Sequence, residues 1–210
     1  MLAAFPTTPI PSSCLVMGVA PDQPVFVFGW TNFLCPATWL HQTSVMSPNQ
    51  LQHPTLLKSL ADIDACIVQL LTQARAMGAA AIFLVCDDSL SAMEQLCGTF
   101  FPRCAALFQA STDIVLVANE PNVMASIYSD RLSTPQSTLF RRATPFSVFG
   151  LPSLHASCLS MPASALVTTK IVCSPYAHPT LDQLSHQLQV LGQGLLDVVA
   201  RHPTAMTMSL

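Results

Sequence analysis

Residues 79–86 read AAAIFLVC, eight apolar residues in a row, and this stretch decides the fold class. Before it, over residues 54–77, leucines and isoleucines recur every three or four positions, which is the spacing of one face of a helix. Gly78 is expected to end that helix, because glycine is common directly after a helix C-terminus. A continuous apolar run is typical of a strand covered on both faces by helices, so the stretch predicts a buried strand in an α/β domain.

Further strand and helix patterns lie before and after this predicted helix and strand. Residues 24–29 (PVFVFG) are β-branched and aromatic residues bounded by Pro and Gly, a pattern that favours a buried strand. Directly after the apolar run, Asp87, Asp88 and Ser89 offer the oxygen atoms that cap the start of a helix. The helix that follows has its apolar residues on one face.

The second half of the chain is less regular. Residues 105–118 have the pattern of two short strands or one bent strand, and residues 170–174 that of a short strand. A leucine-rich helix is predicted from Thr180 to His202. The proline-containing stretches 35–54 and 119–153 show no clear period and are interpreted as connections.

These patterns predict one α/β domain, layered around a central sheet that is mostly parallel or mixed and flanked by helices. We place this domain at residues 24–202. Residues 1–23 are predicted to be a loose N-terminal arm, within which residues 14–19 have the pattern of a short edge strand. Residues 203–210 are expected to be a C-terminal tail.

Composition narrows the classes of function. The 210 residues include only 8 Lys and Arg, which form no basic stripe, so we expect no nucleic-acid partner. No apolar run reaches the roughly 20 residues of a membrane-spanning helix, and no secretory signal is recognisable. We therefore expect a cytoplasmic protein that can also be nuclear. Charged residues make up 9% of the chain, which favours a surface completed by a protein partner.

The 8 cysteines show neither a C-x-x-C motif nor a short Cys/His spacing suited to zinc. In the expected compartment their thiols stay reduced, and most of them are interpreted as small buried hydrophobic residues. We expect no metal and no cofactor.

Asp87 and Asp88 are the best candidates for a ligand or catalytic site. They follow the predicted buried strand, and ligands of α/β sheets bind at the carboxyl ends of strands. The alternative is that Asp88 or Ser89 only caps the next helix, and no third acidic residue lies nearby in the sequence.

Residues 75–80 (RAMGAA) fit the R-x-x-G-x-A string with which acetyltransferases hold the pyrophosphate of acetyl-CoA. In that fold the string opens a helix, whose free N–H groups face the phosphates. Here it is predicted to close a helix, where the partial charge is negative. The distinguishing observation is whether residues 75–80 lie at a helix N-terminus.

Arg141 and Arg142 are the only adjacent like-charged cations of the chain. Their default role is that of solvated loop charges. The alternative is a partner contact, because Arg and aromatic residues dominate interfaces and Phe140 and Phe146 lie close by in the sequence.

Several strings resemble the proteasome assembly chaperone family, specifically its chaperone 1 type. They are IFLVC (82–86), the helix over 90–97, DIVLVA (113–118), Tyr128, TLFRRAT (138–144), Pro162-Ala163 and the helix that contains Asp182. The resemblance implies a non-catalytic α/β protein that works as a heterodimer and helps proteasome α subunits assemble into a ring. Family members often end in a hydrophobic residue, Tyr and one further residue. This chain has Met208-Ser209-Leu210 there, so a docking role of the C-terminus does not carry over.

Taken together, the sequence predicts a binding or assembly factor with no catalytic residue. The alternatives are an acyl-CoA-dependent N-acyltransferase, and a hydrolase or nucleotide-processing enzyme that uses Asp87 and Asp88.

Overall fold

The computed structural model describes residues 23–46, 52–132, 146–161, 163–166 and 168–210. Their strands form one parallel sheet of six, in the order β3-β2-β1-β4-β5-β6. The strands are β1 (Val25–Gly29), β2 (Ala81–Cys86), β3 (Ile114–Ala118), β4 (Phe146–Gly150), β5 (Lys170–Cys173) and β6 (Met206–Ser209). The α/β fold and the buried strand expected from residues 79–86 are confirmed, because every residue of β2 is buried.

Helices cover both faces of the sheet. They are α1 (Ala37–Met46), α2 (Pro54–Ala76), α3 (Leu90–Phe100), α4 (Pro102–Ala110), α5 (Val123–Leu132), α6 (Pro152–Cys158), α7 (Ala163–Leu166), α8 (Leu181–Val190) and α9 (Leu196–Arg201). A wide π-type turn joins α8 to α9, where Gly194 adopts φ 122°. The predicted last helix is therefore present over the expected residues, but it is kinked at Gly194, whose backbone conformation favours glycine.

The sheet separates two hydrophobic cores. On one face, side chains of α2, α3, α4 and α8 pack on Phe26, Phe28 and Phe149. On the other face, α5 and α6 pack on strand residues such as Val27 and Val148. The rings of Phe28 and Phe149 stack with their centroids 5.0 Å apart and tie β1 to β4. The alternation of side chains along each strand thus supplies both cores.

The interpretation of residues 105–118 as strands was wrong in its first half, where α4 forms. Pro102 occupies the first turn of α4, where its missing N–H costs nothing. The N–H groups of Arg103 and Cys104 donate to the carboxylate oxygens of Asp64 on α2, each at 2.9 Å. The helix is capped by a residue 40 positions away, which a local pattern does not reveal.

Three further interpretations are corrected. Residues 35–54 contain α1, and residues 119–153 contain α5 and the interior strand β4. Residues 203–210 are not a tail, because β6 pairs with β5 along its length, with Met208 beside Val172. The predicted arm, with its edge strand at residues 14–19, lies outside the described residues.

Candidate functional site

The direction of chain progression through the sheet reverses between β1 and β4. From β1 the chain moves outward through β2 to β3, and after crossing back to β4 it moves outward the other way to β6. In doubly wound sheets, ligands bind in the crevice at the carboxyl ends of the two strands at this switch point. Gly29 ends β1 and Gly150 ends β4. The fold therefore places the candidate site above these two glycines.

A side chain of the protein fills this crevice. Leu154, in the first turns of α6, is 4% exposed and lies over both glycines. A Cβ atom added to Gly150 would come within 2.6 Å of Leu154 Cδ2, so only glycine allows the leucine to sit this close. The space that remains is about 10 Å³, which holds about one water molecule. Its lining includes Gly29, Thr31, Val85, Asp87, Asn119, Leu151, Ser153 and Leu154.

Polar groups from three strand ends meet beside this crevice. Asn119, which follows β3, donates from Nδ2 to Oδ1 of Asp87 at 2.5 Å. The backbone N–H of Asp87 donates to Oγ1 of Thr31, which follows β1, at 3.2 Å. The sequence therefore placed Asp87 correctly at the carboxyl edge of the sheet, but its side chain is held by an amide.

Asp88 and Ser89 separate in role. The hydroxyl of Ser89 accepts the N–H of Ala92 at 3.2 Å and caps α3. Asp88 is exposed to solvent. The capping alternative is thus confirmed for Ser89, and the two aspartates do not form a pair with shared partners.

A second polar cluster at this edge was not found from the sequence. Asn32 is 4% exposed and has φ 58°, a left-handed conformation that asparagine tolerates. Its side chain donates to Thr38 Oγ1 at 2.8 Å and accepts the Thr38 N–H at 3.0 Å. Its Nδ2 also lies 3.3 Å from Nδ1 of His178, in the loop after β5. The cluster joins the loops after β1 and β5, and an asparagine in a turn was its only sequence signal.

The RAMGAA string lies at the C-terminal end of α2. Gly78 follows the helix with φ 77°, and its N–H donates to the carbonyl of Arg75. The Arg75 guanidinium is bound to Asp113 at 2.7 Å, at the amino end of β3. The string therefore faces the wrong edge of the sheet with the wrong helix terminus, and its arginine has an acidic partner. Residues 75–80 therefore do not lie at a helix N-terminus, the position that would favour an acyltransferase.

Of the four residues predicted to form a partner contact, the structure describes one, Phe146. Phe140, Arg141 and Arg142 lie outside the described residues, and their role stays a prediction. Phe146 is the first residue of β4 and is fully buried, with its ring centroid 5.7 Å from that of Tyr128. The expectation that Phe146 belongs to a partner contact was wrong, because its ring lies in the core between the sheet and α5.

Buried thiols gather beneath the carboxyl edge. Burial, with a smaller contribution from Cys97, raises the pKa of Cys86 to about 12. Burial first and Asp64 second raise the pKa of Cys97 to about 12. Cys104 also has a raised pKa, from burial and then from its hydrogen bond to Asp64. Such thiols are not nucleophiles near neutral pH. Among the described residues no group of three or more His, Cys, Asp or Glu side chains is arranged to hold a metal ion.

Comparison with known proteins finds no matching family model, curated protein or solved structure. In the part of the chain that the structure describes, no helix is long and apolar enough to cross a membrane.

Proposed function

We propose that this chain is a non-catalytic binding and assembly factor that acts together with a protein partner. The observation that carries the proposal is the position of Leu154. The crevice where doubly wound domains take up nucleotides and other small ligands is filled by this side chain and leaves room for about one water molecule.

The polar groups beside the crevice support the same reading. A general acid or base needs an atom within hydrogen-bond reach of a substrate. Oδ1 of the Asp87 carboxylate accepts a hydrogen bond from Asn119, and the side chain of Asn32 is engaged by Thr38 on both of its polar atoms. These hydrogen bonds join the loops at the carboxyl edge of the sheet to one another.

The surface supports a protein partner. Only 9% of the residues are charged, and large apolar side chains lie in solvent, with Leu159 exposed by 73% and Val198 by 61%. Apolar surface of this kind is a frequent component of protein interfaces.

The resemblance to proteasome assembly chaperones supports a finer proposal, a heterodimer that acts on proteasome α subunits in the cytoplasm or nucleus. Its IFLVC and DIVLVA strings are the neighbouring strands β2 and β3, which pair in register from Ile82 and Ile114 onward. The C-terminal residues are tied into the sheet, since the Leu210 N–H donates to the Cys173 carbonyl at 2.9 Å. Contact with α subunits would therefore use another surface, and residues 140–142 are our candidate.

Affinity capture from extracts of the source cells tests both levels of the proposal. We expect a second chain in a 1:1 ratio, together with proteasome α subunits. The double variant Arg141→Ala, Arg142→Ala should reduce the capture of partners about tenfold, whereas Arg201→Ala should not. Arg201 is a matched control because its side chain is 78% exposed and, among the described residues, forms an ion pair with Asp197 on its own helix. A 1:1 partner without α subunits would contradict the finer proposal, and capture of neither would contradict both.

A further inference from the structure

The outer edge of β3 carries neither a charge nor a proline. Its five residues, Ile114–Ala118, read IVLVA, and they pair with β2 in continuous register without a bulge. Within the described ranges, no strand pairs with the other side of β3. Charges, prolines and bulges are features that keep the edges of natural sheets from recruiting other strands. This edge is therefore able to accept a further strand.

The pairing with β2 fixes which backbone groups of β3 point outward. The carbonyl of Asp113 accepts the Ile82 N–H at 2.9 Å, and the Asn119 N–H donates to the Cys86 carbonyl at 2.7 Å. Because the backbone groups of successive residues point to alternate sides, the odd-numbered residues of β3 bond to β2. The outward N–H and C=O groups are those of Ile114, Leu116 and Ala118.

We propose that two copies of the chain pair through this edge, with their β3 strands antiparallel and related by a two-fold axis at Leu116. In this register Leu116 of one copy faces Leu116 of the other, and Ile114 faces Ala118. Each facing pair exchanges two N–H···O bonds, so the outward groups of both strands are all paired. A strand whose outward residues are symmetric about its centre is complementary to itself. The inference concerns the chain purified without a partner and does not depend on the proposed function.

The side chains of β3 suit this register. Ile114 and Leu116 point to the face of the sheet that α2 and α3 cover, and Val115 and Val117 point to the face that α5 covers. Leucine then lies beside leucine and valine beside valine, whereas the larger Ile114 lies beside the smaller Ala118. Apolar and β-branched cross-strand pairs of this kind stabilise a sheet. The four residues after Ile114 are half-buried in one copy, so pairing removes apolar surface from water.

The charges next to β3 also favour a second copy. Two acidic residues flank the strand, Asp113 before it and Glu120 after it. In the proposed register Asp113 faces the amide side chain of Asn119 of the second copy. Glu120 faces Thr112, so no like charges lie opposite each other. Arg75, whose guanidinium binds Asp113 at 2.7 Å, lies at the end of β3 that meets Glu120 of the other copy. The edge is therefore complementary to itself in charge as well as in hydrogen bonding.

Sedimentation of the purified full-length chain at low and high micromolar concentration tests the pairing. We expect the mass to rise from 22.5 kDa toward twice that value as the concentration rises. Leu116→Pro removes the central N–H of both copies but no bond to β2, because this N–H points outward. The dissociation constant of the dimer should rise about 30-fold or more, since two hydrogen bonds are lost.

Thr207→Pro is the matched control at the opposite edge of the sheet. The Leu210 N–H donates to the Cys173 carbonyl, so the Thr207 N–H, three residues earlier, points away from β5. This proline also replaces an outward N–H of an edge strand, yet it should leave the dimer unchanged. Circular dichroism checks that both variants fold. If Leu116→Pro does not fold, Leu116→Lys takes its place and should also prevent pairing, because it sets two like charges opposite each other at the axis.

A cysteine at the axis gives an independent readout. Residues of a hydrogen-bonded antiparallel pair have Cα atoms about 5.5 Å apart, a distance that a disulfide spans. Under mild oxidation, Leu116→Cys should therefore form a dimer linked between the two introduced thiols, as located by peptide mass mapping. Thr112→Cys, at an exposed position two residues before β3, should not link to its own copy, because the antiparallel register separates the two positions by about 27 Å.

A chain that stays monomeric at every concentration would overturn the proposal. A dimer that folded Leu116→Pro or Leu116→Lys leaves intact would also overturn it, because the contact would then use another surface. Disulfide-linked dimers of both Leu116→Cys and Thr112→Cys would contradict the antiparallel direction.

Discussion

Removal of the Asp64 side chain should destabilise the domain more than any other single loss of a polar group described above. Asp64 is 1% exposed, and its two carboxylate oxygens receive the N–H groups of Arg103 and Cys104 at the start of α4. A carboxylate at a helix N-terminus is also favoured by the helix dipole. The contact fixes α4 on α2, so its loss affects packing as well as capping.

The size of the effect follows from these bonds. Asp64→Ala removes two hydrogen bonds to a charged acceptor, each worth about 1.5–3 kcal/mol. The Cys104 N–H is left buried without a partner, whereas the Arg103 N–H is only partly buried and regains water. We expect a loss of about 3–5 kcal/mol from a total stability of about 5–15 kcal/mol. Asp64→Asn keeps one acceptor oxygen and should lose about half as much.

Urea unfolding followed by circular dichroism measures this loss. With a slope of about 2 kcal/mol per M, the midpoint of Asp64→Ala should fall by about 1.5–2.5 M. Asp62→Ala, at an exposed position two residues earlier on α2, is the matched control and should change stability by less than about 0.5 kcal/mol. Equal midpoints for the two alanine variants would refute the reasoning.

Three further outcomes are expected. Leu84→Asp should abolish cooperative unfolding, because it places an unpaired charge on a fully buried residue of β2, and a mutant with a normal thermal melt would contradict this. Calorimetric titration with acetyl-CoA should show no binding at micromolar concentrations, whereas binding that Gly78→Glu abolishes would restore the acyltransferase alternative. Among the described cysteines, iodoacetamide at pH 8 should first modify Cys66 and Cys173, which are partly exposed. Cys97, with its pKa raised by burial to about 12, should react only after unfolding, and its early alkylation in the native protein, detected by peptide mass mapping, would contradict its burial.

The elements that the sequence predicted well are those that carry their own pattern. β2 is a long apolar run, and α2 repeats its apolar positions over more than five turns, so neither depends on distant residues for recognition. The interior strand β4 was not predicted. Its five residues, FSVFG, are a short run that follows a stretch without a clear period. The strand β6 alternates methionine with small polar residues and forms because β5 offers it an edge.

The sequence also predicted only part of the candidate site. The position of Asp87 followed from the rule that ligands and polar residues gather at strand ends. The filling of the crevice did not follow, because it depends on Gly29, Gly150 and Leu154 meeting in space from two strands and a helix. The sequence could therefore indicate where a site would lie, and only the packing of Leu154 shows that it is closed.

The most direct test of the central proposal, a partner-binding role rather than catalysis at a small-molecule site, is the mass of the native assembly. The tagged chain, expressed at its natural level and released gently from the source cells, would be analysed by native mass spectrometry. We predict a complex with one copy of this 22.5 kDa chain and one copy of a different chain. A single species at 22.5 kDa, or one that carries only a bound small molecule, would contradict the account.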